Sequence, residues 1–259
     1  MLSTHIIERM AVEVDGTGDA LVMLHGLGGT SNVWTPQMPV VGARFRVIRF
    51  DLPGSGRSPA SSTLSISSLA DAVMRALRVL GVETAHFAGH SMGTIVCQHL
   101  AEREPALVRS LALVGPVHAL PDAGRQAMRE RAARVRAEGM SEVAEAILKA
   151  ATSGDTKAAN PVGMAFIREL LMRQDPEGYA RNCEALAGAE GADLERIRCR
   201  ALLVTGDEDA VAPPSAVRAM ADRLHDARSV VLSRCGHWTT IERAVEVNNA
   251  FREFLFGRR

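Results

Sequence analysis

An excess of charge of either sign is missing from this chain of 259 residues. Thirty Lys plus Arg balance thirty Asp plus Glu, so no net field draws in nucleic acid or an anionic membrane. Cysteine is scarce. Cys97, Cys183, Cys199 and Cys235 stand apart without C-x-x-C spacing, a pattern that suggests neither a zinc site nor a disulfide framework. No apolar run approaches the roughly 20 residues that span a bilayer. Met1-Leu2-Ser3-Thr4-His5 lacks the basic stretch and apolar run of a signal peptide, so a cytoplasmic location is the expectation. The glycine loops that cradle phosphates, G-x-x-x-x-G-K-[ST] and G-x-G-x-x-G, do not occur, which argues against a nucleotide ligand. What the chain does have is 47% hydrophobic residues, enough to bury a sizeable core rather than stay disordered.

The apolar residues come in short runs that alternate with helical spacing. Strands are predicted over 5–14, 20–24, 45–50, 85–90, 111–114, 201–205 and 229–232, the buried ones as near-continuous apolar runs. Helices are predicted from Ile66 to Leu80, from Ser91 to Glu104, from Pro214 to Leu224 and from about Thr240 to Phe256. From 118 to 196 the alternation stops. That stretch is helical and rich in Arg and Ala, and Asn160-Pro161 and Asp175-Pro176 each read as an N-cap followed by a first-turn proline. Such a pattern predicts an α/β fold with a mostly parallel sheet flanked by helices. The core comprises 1–117 and 197–259, and 118–196 is an inserted helical cap.

Chemistry gathers at the ends of strands. Gly89-His90-Ser91-Met92-Gly93 is a G-x-S-x-G turn between a strand and a helix. Its glycines leave room for a strained backbone at Ser91, which lifts the hydroxyl clear of the sheet. Gly206-Asp207-Glu208-Asp209 and Cys235-Gly236-His237 follow two later strands. In a parallel sheet such ends face one crevice. A serine hydroxyl needs a base, here His237, and the base needs a carboxylate to orient it. Asp209 is expected in that role and Asp207 in the turn. The N–H groups of Met92 and of Leu27, in the His25-Gly26-Leu27-Gly28-Gly29 loop, would hold an oxyanion. His25 and His90 are expected to shape their loops. Trp34 and Trp238 lie beside site loops and are candidate pocket walls.

His25-Gly26-Leu27-Gly28, the 51–58 stretch Asp-Leu-Pro-Gly-Ser-Gly-Arg-Ser, Gly89-His90-Ser91-Met92-Gly93, Gly206-Asp207-Glu208-Asp209 and Gly236-His237 together resemble the α/β-hydrolase superfamily. Ser31–Met38 leading to Phe45–Asp51 resembles its 3-oxoadipate enol-lactonase branch. The resemblance implies acyl transfer to water, with Ser91 as nucleophile, His237 as base, Asp209 as orienting acid, and no cofactor or metal. Serine rather than aspartate at 91 separates the chain from the haloalkane dehalogenases of the same superfamily. The implied partner is a small ester or lactone, with no nucleic acid and no membrane, and self-association into a homo-oligomer left open. Carbon–carbon bond hydrolysis of a diketone and a small-molecule receptor that keeps the triad are the alternatives. The cap arginines Arg125, Arg129, Arg131, Arg134 and Arg136 read as a solvated helix face.

Overall fold

A computed structural model describes residues 3–257, so the outer domain limits at 1 and 259 lie outside the described residues. Eight strands form one sheet in the order β1-β2-β4-β3-β5-β6-β7-β8. They span Ser3–Ile7 (β1), Met10–Asp15 (β2), Ala20–Leu24 (β3), Arg46–Phe50 (β4), Ala85–His90 (β5), Val108–Val114 (β6), Arg200–Gly206 (β7) and Ala227–Leu232 (β8). From β4 onward along the sheet every pairing is parallel. The single first strand expected over 5–14 is instead a hairpin, β1 antiparallel to β2. Glu8 and Arg9 form its turn with positive φ, 51° and 67°. Such turns favour Asn and Gly, and a Glu-Arg pair carries no local sign of one.

Side chains alternate across the sheet. Val22, Leu24, Phe87 and Leu203 join one core with helices α2 (Ile66–Val79), α3 (Met92–Arg103) and α9 (Pro214–Arg223). Leu21, Met23, Ala88 and Val204 join the other, under α1 (Met38–Val41) and α11 (Ala244–Phe251). Five helices occupy the connection from β6 to β7: α4 (Asp122–Glu138), α5 (Ser141–Ala151), α6 (Gly154–Ala159), α7 (Pro161–Met172) and α8 (Pro176–Ala187). Asn160 and Asp175 cap α7 and α8 by accepting from the Gly163 and Gly178 N–H groups. The inserted helices have no separate core. Val135, Leu148, Leu171 and Tyr179 belong to the same apolar cluster as Met23 and Val204. The last helix expected over 240–256 is broken: α10 (Thr239–Glu242) ends at Arg243, whose φ of −131° and ψ of 52° are not helical. The Arg243 side chain there binds the Ser233 and Arg234 carbonyls and Asp155.

Candidate active site

Ser91 sits between β5 and α3 with φ 51° and ψ −120°, a strained conformation for a residue with a Cβ. The turn is as tight as its sequence requires. A Cβ on Gly93 would lie 2.6 Å from the His25 carbonyl oxygen, so α3 starts hard against the end of β3. The Ser91 N–H bonds the Val114 carbonyl at 3.0 Å, which seats the turn on β6.

Parallel pairing brings the ends of β5, β7 and β8 to one edge, and the three predicted side chains meet there. His237 Nε2 lies 2.8 Å from Ser91 Oγ, and His237 Nδ1 lies 2.8 Å from Asp209 Oδ2. A carboxylate only accepts, so Nδ1 carries the hydrogen and Nε2 is left to accept from the serine. Asp209 is 2% exposed. Burial pushes its carboxyl up, but His237 and the Ala212 and Val211 N–H groups outweigh this and hold it below its ordinary range. Asp207, the competing acid, instead accepts the Cys235 N–H at 3.1 Å and fastens the β7 loop to the β8 loop.

The Gly26–Gly29 loop lies directly over the serine. A Cβ on Gly26 would stand 2.6 Å from the Ser91 Cβ, so a side chain at that position would collide with Ser91. Among the described residues, the N–H groups of Leu27 and Met92 have no hydrogen-bond acceptor. His25 is buried and shapes this loop: Nδ1 donates to the Gly26 carbonyl at 2.7 Å, and Nε2 accepts the Leu52 N–H at 2.9 Å. His90 donates from Nε2 to the His237 carbonyl at 2.8 Å. Burial, then the nearby His237, pushes its pKa down to about 3, so His90 is neutral. The 51–58 loop closes the flank. Buried Asp51 accepts the Ser31 N–H at 2.8 Å and the Arg57 guanidinium at 2.8 Å. Burial raises that carboxyl, and these partners lower it further than burial lifts it.

Two groups without a motif support the site. Glu242 is buried and accepts three backbone N–H groups: Gly236 at 3.1 Å, Trp238 at 3.0 Å and Ser153 at 2.8 Å. It therefore brackets His237 on both sides and ties it to the end of α5, where the Ala151 carbonyl accepts the His237 N–H at 2.8 Å. Two of its partners lie just before it in the chain, but the tie to Ser153, 89 residues away, has no local mark. Gln174 is a second such group, reaching from the insertion to the Gly28 and Gly29 carbonyls.

Of the two tryptophans, Trp34 needs correction. Trp34 is 0% exposed and stacks on Phe251 with ring centroids 6.3 Å apart. A side chain with no accessible surface lines no cleft, so it is a core residue. Trp238 is also buried and packs beside His90, 5.7 Å between centroids. Of the insertion's arginines, Arg136 pairs with Glu177 and Glu184 and Arg125 holds the Leu120 and Ala187 carbonyls. Among the described residues no cluster of His, Cys, Asp or Glu is placed to hold a metal ion, and no helix is long and apolar enough to cross a membrane.

A serine, a histidine and an aspartate joined by hydrogen bonds at the carboxyl edge of an α/β sheet define a class of architecture, and comparison with known proteins identifies it. The profile of the alpha/beta hydrolase fold matches residues 19–152 and that of a TAP-like protein matches 179–257. A pimeloyl-[acyl-carrier protein] methyl ester esterase of Chromobacterium violaceum is 30% identical over 95% of this chain and 98% of its own. Among solved structures, a thermophilic esterase from Thermogutta terrifontis superposes with a TM-score of 0.92 at 26% identity, covering 99% of this chain and 98% of that one. The enol-lactonase from Burkholderia xenovorans superposes with a TM-score of 0.89 at 29% identity, covering 98% and 100%. The chain belongs to the alpha/beta hydrolase family.

Proposed function

We propose that this alpha/beta hydrolase cleaves a small carboxylic ester or lactone through an acyl-enzyme on Ser91, without a cofactor. The observation that carries the reading is the unbroken chain from Ser91 Oγ to His237 Nε2 and from His237 Nδ1 to Asp209 Oδ2, 2.8 Å at each link. In the first step Ser91 Oγ bonds to the substrate carbonyl carbon and its proton passes to His237 Nε2. The carbonyl oxygen becomes an oxyanion held by the Leu27 and Met92 N–H groups. The Met92 donor also stands at the first turn of α3, where the helix dipole favours negative charge. As the tetrahedral adduct collapses, the bond to the leaving oxygen breaks and that oxygen takes the proton from Nε2. Water then repeats the sequence on the acyl-enzyme, with His237 as base, and releases the carboxylic acid and free Ser91.

Asp209 keeps the hydrogen on Nδ1 and stabilises the imidazolium that each step forms. The esterase and enol-lactonase relatives support ester or lactone substrates. The inserted helices act as the cap. Ser91 is 9% exposed and His237 7%, which keeps bulk water from the reacting atoms.

The test is turnover of p-nitrophenyl acetate and an enol-lactone by the parent and by Ser91→Ala. The variant keeps its fold by circular dichroism and loses about 10⁴- to 10⁶-fold in kcat. Undiminished turnover refutes the assignment. Preferential cleavage of a vinylogous diketone replaces the ester reading with carbon–carbon hydrolysis, and ligand-induced stabilisation without turnover replaces it with a receptor.

A further inference from the structure

We infer that Gln174, contributed by the inserted helices, is a positioning residue that aims the Leu27 N–H at the oxyanion, so that this donor is aligned only while the insertion is docked. The inference deepens the hydrolase reading above and rests on it. Gln174 lies in the turn between α7 and α8 and is 4% exposed. Its amide orientation follows from its neighbours. The Leu170, Gly28 and Gly29 carbonyls, at 2.8, 3.2 and 3.4 Å, can only accept. The Gly56 N–H, 3.2 Å from Oε1, can only donate. Nitrogen therefore faces the carbonyls, sharing two hydrogens among three acceptors, and oxygen faces Gly56.

From there the geometry runs to the oxyanion donor in two steps. Gln174 holds the carbonyls of Gly28 and Gly29. The Gly29 N–H in turn donates to the Gly26 carbonyl at 3.0 Å. The Gly26 carbonyl and the Leu27 N–H belong to one planar peptide unit, so fixing the oxygen fixes the direction of the hydrogen. His25 Nδ1 holds the same oxygen from the core side. The loop is thus gripped from two sides, by a core histidine and by a glutamine of the insertion. Leu171 and Tyr179, also of the insertion, leave no space beside Gly28, so the loop cannot drift while these helices are seated.

The experiment compares the parent, Gln174→Met and Gln174→Glu for kcat and KM with p-nitrophenyl acetate, and for affinity toward phenylboronic acid. The boronate forms a tetrahedral adduct on Ser91 that places an oxygen where the oxyanion forms. Gln174→Met keeps the side-chain volume and removes both polar ends. Its kcat falls about 10- to 100-fold, short of the ~10²- to 10³-fold loss for an absent oxyanion donor. Its boronate Kd rises by a similar factor, and KM stays within about twofold. Gln174→Glu keeps the acceptor for Gly56 but turns a carboxylate oxygen on the three carbonyls. Its activity relative to the parent is lowest at pH 8 and recovers toward pH 5.5, as the protonated acid regains a donor.

If Gln174→Met does not fold, the Gln174→Glu ratio decides. Boronate affinity and kcat within about twofold of the parent in the folded variants, or a change confined to KM, overturns the inference. A parent without Ser91-dependent turnover overturns the hydrolase reading and this inference with it.

Discussion

The two ends of the site are held by opposite chemistry. Around His237 the ring and most of the flanking N–H groups are held by carboxylates: Asp209 on the ring, Glu242 on the Gly236 and Trp238 N–H groups, and Asp207 on the Cys235 N–H, with His90 and Thr239 donating to the His237 carbonyl. Around the Gly26–Gly29 loop the supports are neutral donors, His25 and Gln174, which bind carbonyl oxygens. The difference follows from which way the peptide planes face. A loop that turns its N–H groups inward toward its supports needs acceptors. A loop that must leave an N–H free for the substrate turns its carbonyls toward its supports and needs donors. The electrostatics agree with the chemistry proposed at each end. A carboxylate on the ring, as Asp209 is, suits the imidazolium of the proposed steps, whereas a carboxylate beside the proposed oxyanion position would oppose the charge that forms there.

The sharpest way to break this contrast is to neutralise the charged end. Asp209→Asn should lower kcat by about 10⁴-fold, because the amide can offer a hydrogen to Nδ1 and favour the wrong tautomer. Steady-state rates measure it, and a loss below tenfold would mean that Asp209 is not the orienting acid. Glu242→Gln is milder. It keeps one oxygen acceptor but points an NH2 at backbone N–H groups, so kcat should fall by about tenfold through misplacement of His237, with about 2 to 3 kcal/mol of stability lost. Urea denaturation and kinetics on the same preparation check both numbers.

The smallest effect concerns the buried histidines. The folded pKa of His90 is about 3 against an ordinary 6.5, while burial also lowers that of His25. The unfolded chain therefore binds more protons below pH 6.5, and stability falls as the pH drops from there toward 3. His90→Gln keeps a donor for the His237 carbonyl and removes the titration. Its Tm should fall less steeply than the parent's between pH 6.5 and 4, corresponding to about 1 to 2 kcal/mol by pH 5. Parallel slopes would mean that His90 is protonated in the fold.

Much of this arrangement could be read along the chain because its causes are local. The G-x-S-x-G turn declares itself through the space its glycines leave, and the parallel strands through continuous apolar runs. Asn160 and Asp175 announced their helices through the proline that follows each. The β1–β2 hairpin did not, since Glu8 and Arg9 take positive φ without being residues that favour it. Trp34 was misplaced for a related reason: adjacency in sequence to the Gly26–Gly29 loop does not say which way a large ring points, and Phe251 on a distant helix claimed it.

By itself, then, the sequence determined the central parallel strands, the helices that follow them, and the strand ends that would carry a hydroxyl, a carboxylate and an imidazole. It also pointed to Asp209 over Asp207, but only the tertiary structure decided that Glu242 brackets His237 and that Gln174 reaches the Gly26–Gly29 loop from the insertion. Backbone conformation is governed by neighbours a few residues away. A hydrogen bond between groups 146 positions apart, as between Gln174 and Gly28 or His237 and Ser91, depends on sheet register and helix docking that no local pattern encodes.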